Sequence, residues 1–442
     1  MSNNRRDFMK KMAIGTTGVI VGSPLISTGN IIGANERVRV AVMGVRSRGK
    51  SLARTLSGLK NAEIVYMCDV EQNALKDGIN TVQKITGKAP VGVEDFRKVL
   101  DDKTIDALVI AAPDHWHAPA TILACNAGKH VYVEKPCSHN PREGELMIQV
   151  AKKYNRLVQM GTQRRSWRVI REAMDMLHSG RIGKVYFAKA WYANDREPIG
   201  IGKVIPVPDS LNYELWQGPA PRVPYKDNLI PYNWHWHWHW GTGEALNNGT
   251  HELDLVRWGF NADYATKVSS TGGRYHYNDD WETPDTQIIN FEFGDDKSAM
   301  WEGRSCNGRP VEGSGRGVVF YGTDGSMFTD GGNKFQIFDK NHKLVDEIKE
   351  GEDINVLDTT SPSGNLDEGH LYNFLDAIRT GARLNAEIET GHKSVLLCQL
   401  GNIAQRTGRI LNIDQNNGHI LNDAQAMEYW SRTYEPGWEP KI

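Results

Sequence analysis

The period of apolar positions changes along the chain, and each change predicts an element. From Val38 the β-branched run VRVAVM stops at Gly44, a tight turn follows, and a helix is predicted from near Gly49. A second strand, AEIVYMCD, ends in Asp69. The apolar run IDALVIAA leads into a loop over Pro113–His117, then a helix, then a strand that ends at Glu134-Lys135-Pro136. Strands alternating with helices in this way predict βαβ units and a parallel sheet. A helix from Pro141 to Asn155 precedes RLVQMG, a strand that Gln163 and Arg164 leave.

Beyond that point the pattern changes. Residues 194–233 are rich in Pro, Gly and Asn and predict a long loop, an arrangement often used for binding. WHWHWHW over 234–240 alternates strictly, the period of an extended segment with histidines on one face and tryptophans on the other. A helix is predicted at His251, with Leu253, Val256 and Trp258 on its buried face. From about 265 to 345 short β runs alternate with Gly and Asp turns, which predicts a meander. A helical pair at about 366–380 and 390–407 and an ordered extension after 412 complete the chain.

Composition adds little except at the N-terminus. The 442 residues carry a formal net charge of −2 and no long basic run, so a nucleic acid partner is not expected. Thirteen Trp and fifteen Tyr cluster toward the middle, where they suit either a core or stacking on sugar rings. Residues 1–34 pair Arg5 and Arg6 ahead of Phe8, Lys10 and a mild apolar stretch, the pattern of a twin-arginine signal. The stretch is too short and polar for a stable membrane span. The twin-arginine export machinery is therefore an expected partner, with a periplasmic or otherwise exported destination for a protein that folds around its cofactor first. Five scattered cysteines without C-x-x-C spacing predict free thiols.

The first βαβ unit carries the leading chemistry. Gly44, Arg46, Ser47, Arg48 and Gly49 form a turn before a helix N-terminus, which offers N–H groups to a pyrophosphate. Asp69, twenty residues after Gly49, is placed to hold a ribose diol and favours NAD over NADP. Arg46 stands where the middle glycine of G-x-G-x-x-G is expected, so the turn alone does not decide. Ligands of open parallel sheets lie beyond the strand carboxyl ends, where Pro113, His117, Glu134 and Lys135 join them.

The glycine turn, PDHWHAP, AGKHVYVEKP and the later His251 region together resemble the Gfo/Idh/MocA oxidoreductases over residues 36 to about 412. That resemblance implies an α/β chain with a Rossmann domain at 36–158. It also implies an α+β domain at 159–412 on an open-faced, mainly antiparallel sheet, and a homo-oligomer formed through that sheet. Residues 413–442 would be an extension. It further implies hydride transfer between a bound nicotinamide and a carbohydrate, with a carboxylate four residues before the active-site histidine. Here Asn247 takes that place before His251, and asparagine cannot accept a proton. Lys135 and His251 are the candidate proton acceptors, since alcohol oxidation needs a base with a pKa near the working pH. Gln163, Arg164 and His237 are candidate substrate contacts.

Three readings follow. The first is an exported NAD-dependent oxidoreductase acting on a sugar, polyol or glycoside. The second is redox-neutral glycoside cleavage through a transient keto-sugar, and the third a non-catalytic sugar-binding protein. WHWHWHW itself suggests a zinc site. Yet alternate residues on a strand lie about 6–7 Å apart along a line, and zinc needs donors about 2 Å from one point. No metal is expected, and the run is read as a wall of the substrate cleft.

Overall fold

The computed structural model describes residues 37–442 apart from 295, 352–354 and 359–363. The twin-arginine segment lies outside the described residues. Six strands build the first sheet: β1 (Val38–Met43), β2 (Ala62–Cys68), β3 (Val91–Val93), β4 (Ala107–Ile110), β5 (His130–Val133) and β6 (Val158–Met160). Their order is β3-β2-β1-β4-β5-β6, all parallel, the doubly wound arrangement. Both faces are covered, so β4 is apolar throughout and β1 is broken only by Arg39, instead of alternating. Helices α1 (Arg48–Gly58), α2 (Gln72–Thr86), α3 (Asp114–Asn126) and α4 (Pro141–Tyr154) supply the crossovers. Helix α3 begins at Asp114, so the segment expected to be a loop is already helical from its second residue. His117 thereby sits in the first turn of α3.

After α5 (Arg168–His178) the chain enters a nine-stranded sheet made of β7 (Val185–Ala193), β8 (Lys267–Gly273), β9 (Thr286–Phe293), β10 (Lys297–Arg304), β11 (Arg316–Gly322), β12 (Gly325–Thr329), β13 (Lys334–Asp339), β14 (Leu344–Lys349) and β15 (Leu411–Asn412). Neighbours are antiparallel except β7 and β10. Packed on it are α7 (Gly249–Phe260) and α9 (Ile388–Thr407), with α6 (Gly243–Asn247) against both helices, whereas α8 (Gly364–Thr380) packs on α1 and β1 of the first sheet. Helix α7 is buried nearly all round, with Trp258 its least buried position and Arg165 lying 4.9 Å over that ring. One continuous core joins the sheets, running from Ala41 and Ile110 through Trp301 to Phe320 and Leu397. Among the described residues no helix is long and apolar enough to cross a membrane. All five cysteines are free, and four are buried.

The His/Trp run is not a strand. A 3-10 turn covers Asn233–Trp236, and the next turns close locally, with Trp240 N–H and Gly241 N–H both donating to His237 O. No neighbouring strand is paired with the run among the described residues; Trp236 O instead accepts from Glu282 N–H and Thr283 N–H, and Trp238 N–H donates to the Glu282 carboxylate. The tryptophans still go inward: Trp234, Trp236 and Trp240 are buried, and Trp236 stacks on Trp281 at 4.0 Å. The histidines do not share a face.

Candidate active site

A cavity follows the carboxyl ends of β1, β2, β4 and β5, as sheet topology requires. Its walls include Gly44, Arg46, Ser47, Arg48, Asp69, Pro113, His117, Glu134, Lys135 and Asn247, so most positions singled out in the sequence converge. Gly44 has φ +79°, and a Cβ there would lie 2.6 Å from Ala112 N. Gly49 stands behind the wall; a Cβ on it would meet Gly44 O at 1.9 Å. These two glycines let the turn pass between β1 and β4. Ser47 makes no side-chain cap on α1, leaving the first N–H groups of that helix for an anion. The Asp69 carboxylate accepts from Val45 N–H at 2.7 Å and Glu71 N–H at 2.9 Å, which fixes it at the end of β2. Burial nonetheless holds its pKa above the usual value. A dinucleotide fits this cradle, with its pyrophosphate at the turn and a ribose at Asp69.

Arg48 serves the frame instead of a phosphate. Its guanidinium donates to Glu134 at 2.8 Å and to both oxygens of Asp367 at 2.6 and 2.7 Å, tying the turn to β5 and α8. His117 likewise bridges two strand exits, with Nδ1 at 2.6 Å from Pro136 O and Nε2 at 2.7 Å from Ala112 O.

Lys135 occupies the inner end. Its Nζ donates to Asn247 O at 2.6 Å and to Asn247 Oδ1 at 3.3 Å. Burial pulls its pKa down to about 8, against the opposing pull of Glu134 and Asp114. Asn247 therefore keeps the directing half of a carboxylate's role and omits the charge that would hold Lys135 protonated.

Four expected positions stand elsewhere. His251 is only 4% exposed, is not on the cavity wall, and has no hydrogen-bond partner on either ring nitrogen. Burial, then the charges of Arg164 and Arg316, push its imidazole well below its usual pKa. Gln163 and Arg164 are buried in a 3-10 turn under the site; Arg164 Nε donates to Gly331 O at 2.8 Å, and Gln163 reaches Glu134 Oε1 at 3.3 Å. His237 lines a separate cavity with His239 and Glu282, its Nδ1 3.2 Å from Glu282 Oε1. His235 is the histidine of the run that meets Lys135 in the dinucleotide cavity.

Tyr232 and Trp216 also line this cavity and were not singled out by the sequence, whereas His235 belongs to the run read as a wall of the cleft. Their only signal was a long loop dense in aromatics. Among the described residues no group of three or more His, Cys, Asp or Glu side chains could hold a metal ion.

Comparison with known proteins agrees with this geometry. The Gfo/Idh/MocA family, described as an oxidoreductase family with an NAD-binding Rossmann fold, matches residues 38–162; its C-terminal alpha/beta domain matches 200–413. A glycosyl hydrolase family 109 protein of Saccharopolyspora erythraea is 29% identical over 170 residues, 37% of this chain and 36% of that protein. An alpha-N-acetylgalactosaminidase of Tannerella forsythia is 23% identical over 240 residues, 50% of this chain and 51% of the other. The chain thus spans about a third to a half of the length of these curated relatives. A levoglucosan dehydrogenase solved with NADH and levoglucosan superimposes with a TM-score of 0.67 at 16% identity, covering 86% of this chain and all of the other. Aldose-aldose oxidoreductase from Caulobacter crescentus gives 0.65 at 16% identity, with 85% and 100% covered. With both family domains matched over most of its length and a cradle that fits NAD, the chain belongs to the Gfo/Idh/MocA family of NAD-binding oxidoreductases.

Proposed function

We propose that the protein oxidises a hydroxyl-bearing carbon of a sugar, polyol or glycoside, with Lys135 as the proton acceptor. One observation carries this reading: Lys135 Nζ stands in the dinucleotide cavity with two of its hydrogens committed to the two oxygens of Asn247. Neither oxygen donates, so both contacts use N–H bonds of Lys135. A neutral amine has two such bonds and one lone pair. The lone pair remains for the substrate hydroxyl, and a pKa of about 8 keeps an appreciable neutral fraction near neutral pH. NAD held at the Gly44 turn and Asp69 would supply the hydride acceptor. The hydroxyl proton passes to Lys135 Nζ as the carbonyl forms, so charge and atoms balance. In reduction the same ammonium returns the proton. Tyr232 and Trp216 exclude water along the loop side of the cavity.

The names of the relatives favour a second reading, redox-neutral cleavage of a glycoside. There, oxidation at a ring carbon acidifies the neighbouring C–H, the aglycone leaves, and the hydride returns to the ring. Incubating the NAD-loaded protein with glycosides separates the two. Stoichiometric NADH with a keto product supports net oxidation; aglycone release without net NADH supports cleavage. Bound sugar with neither product would leave a non-catalytic binding protein. We further propose export through the twin-arginine signal at residues 1–34 and a homo-oligomer built on the open face of the nine-stranded sheet. Cell fractionation of the Arg5→Lys/Arg6→Lys variant tests export, and light scattering tests assembly.

A further inference from the structure

His235 has a fixed polarity. Its Nδ1 lies 2.6 Å from Tyr232 O, and a carbonyl oxygen only accepts, so Nδ1 carries a hydrogen. The ring is clamped between aromatic neighbours, 3.5 Å from the Trp234 ring and 4.3 Å from that of Tyr232. Turning the ring about Cβ–Cγ would lose the Nδ1–H bond to Tyr232 O. Burial, then the nearby charges of Lys135 and Arg196, hold the imidazole well below its usual pKa, so a second proton is disfavoured. Among the described residues no carboxylate bonds the ring. What remains is the lone pair of Nε2, which has no hydrogen-bond partner among the described residues, on a histidine that lines the cavity holding Lys135.

We propose that His235 Nε2 is a specificity-determining acceptor for a second hydroxyl of the ring being oxidised. This rests on Lys135 receiving the first hydroxyl. One group takes a proton and the other only accepts a hydrogen bond, so the site reads a pair of hydroxyls on one ring. A monohydric alcohol leaves Nε2 unpaired in a desolvated cavity, and so does a sugar blocked or deoxygenated at the second position. His235 is a poor base, because an imidazolium would be created beside the Lys135 ammonium. Its part is recognition, and the proton goes elsewhere.

The test uses the full-length NAD-loaded protein with methyl glycosides of glucose and N-acetylgalactosamine and each of their monodeoxy derivatives. Besides the oxidised position itself, one further deoxy position should lower kcat/KM by about 10- to 100-fold in the wild type. His235→Phe should lower the parent glycoside by a similar factor and show no further loss with that deoxy derivative. His235→Gln, which restores an acceptor oxygen, should recover part of the discrimination. The ascending pH limb should be unchanged in His235→Phe, because the titrating group is Lys135. Persisting discrimination in His235→Phe, or loss of the pH limb, would overturn the proposal. NADH affinity and melting temperature, compared with wild type, exclude general misfolding. If no glycoside is turned over, the reaction assigned to Lys135 fails on its own. Binding of the same glycosides to NADH-loaded wild type and His235→Phe then still decides whether His235 reads a hydroxyl.

Discussion

At the scale of single residues, Asn247 sets the chemistry of Lys135. A carboxylate at this position would stand beside Nζ and favour the ammonium, whereas the amide directs the same hydrogens without adding charge. Asn247→Asp is therefore expected to raise the Lys135 pKa and to move the ascending limb of kcat/KM for alcohol oxidation from about 8 to higher pH. The sign is fixed, since the base works only when deprotonated and an adjacent anion stabilises the protonated form. A limb unmoved or moved to lower pH would remove Lys135 from the role. Lys135 was legible in the sequence because it closes a strand marked by its motif, and Asn247 because the family resemblance points to the position four residues before His251. His235 was not. Assigning histidines to one face required an extended backbone, and the 3-10 turn at Asn233–Trp236 sends His235 and His237 into different cavities.

At the scale of elements, the glycine turn and the core of α7 govern whether the site exists. Gly44→Ala meets backbone atoms of Ala111 and Ala112 within 2.7 Å and demands a left-handed φ of +79° from a residue with a Cβ. It is expected to destabilise the fold by about 1–3 kcal/mol and to weaken NADH binding. Gly58→Ala at the end of α1 meets no atom within 4 Å and should leave both unchanged or slightly improved. Denaturant melts and NADH titrations of the pair measure the contrast. Arg316 is fully buried, with two bonds to Glu252 at 2.6 and 2.8 Å. Arg316→Ala leaves that carboxylate uncompensated and should cost about 3–5 kcal/mol in the same melts. Element types followed from period and length, hence the agreement at the parallel strands, the meander and the terminal helical pair. The start of α3 was missed because Asp114, His115, Trp116 and Pro119 read as loop formers. Tertiary burial overrides that local preference, and all four are buried.

At the scale of the whole molecule, a doubly wound sheet presents the cofactor cradle and a long loop closes it with aromatic residues. The parallel sheet was legible because its strands are mostly apolar runs separated by helical segments, and the position of the cradle follows from its topology. The inner wall was hidden. His251, Gln163 and Arg164 lie near the site in sequence logic, yet helix and turn packing buries them behind it. Tyr232 and Trp216 reach it through a loop whose course no periodicity encodes. The pairing of cradle and Lys135 is the central claim, and single-turnover mixing addresses it most directly. NAD-loaded wild type mixed with methyl glycosides should show reduced nicotinamide forming by its absorbance, either accumulating with a keto product or rising and decaying as the aglycone leaves. Lys135→Ala, with NAD affinity retained, should slow that first rise by about 10²–10⁴-fold. An equal rise in Lys135→Ala, or aglycone release from wild type with no reduced nicotinamide at any time, would contradict the account.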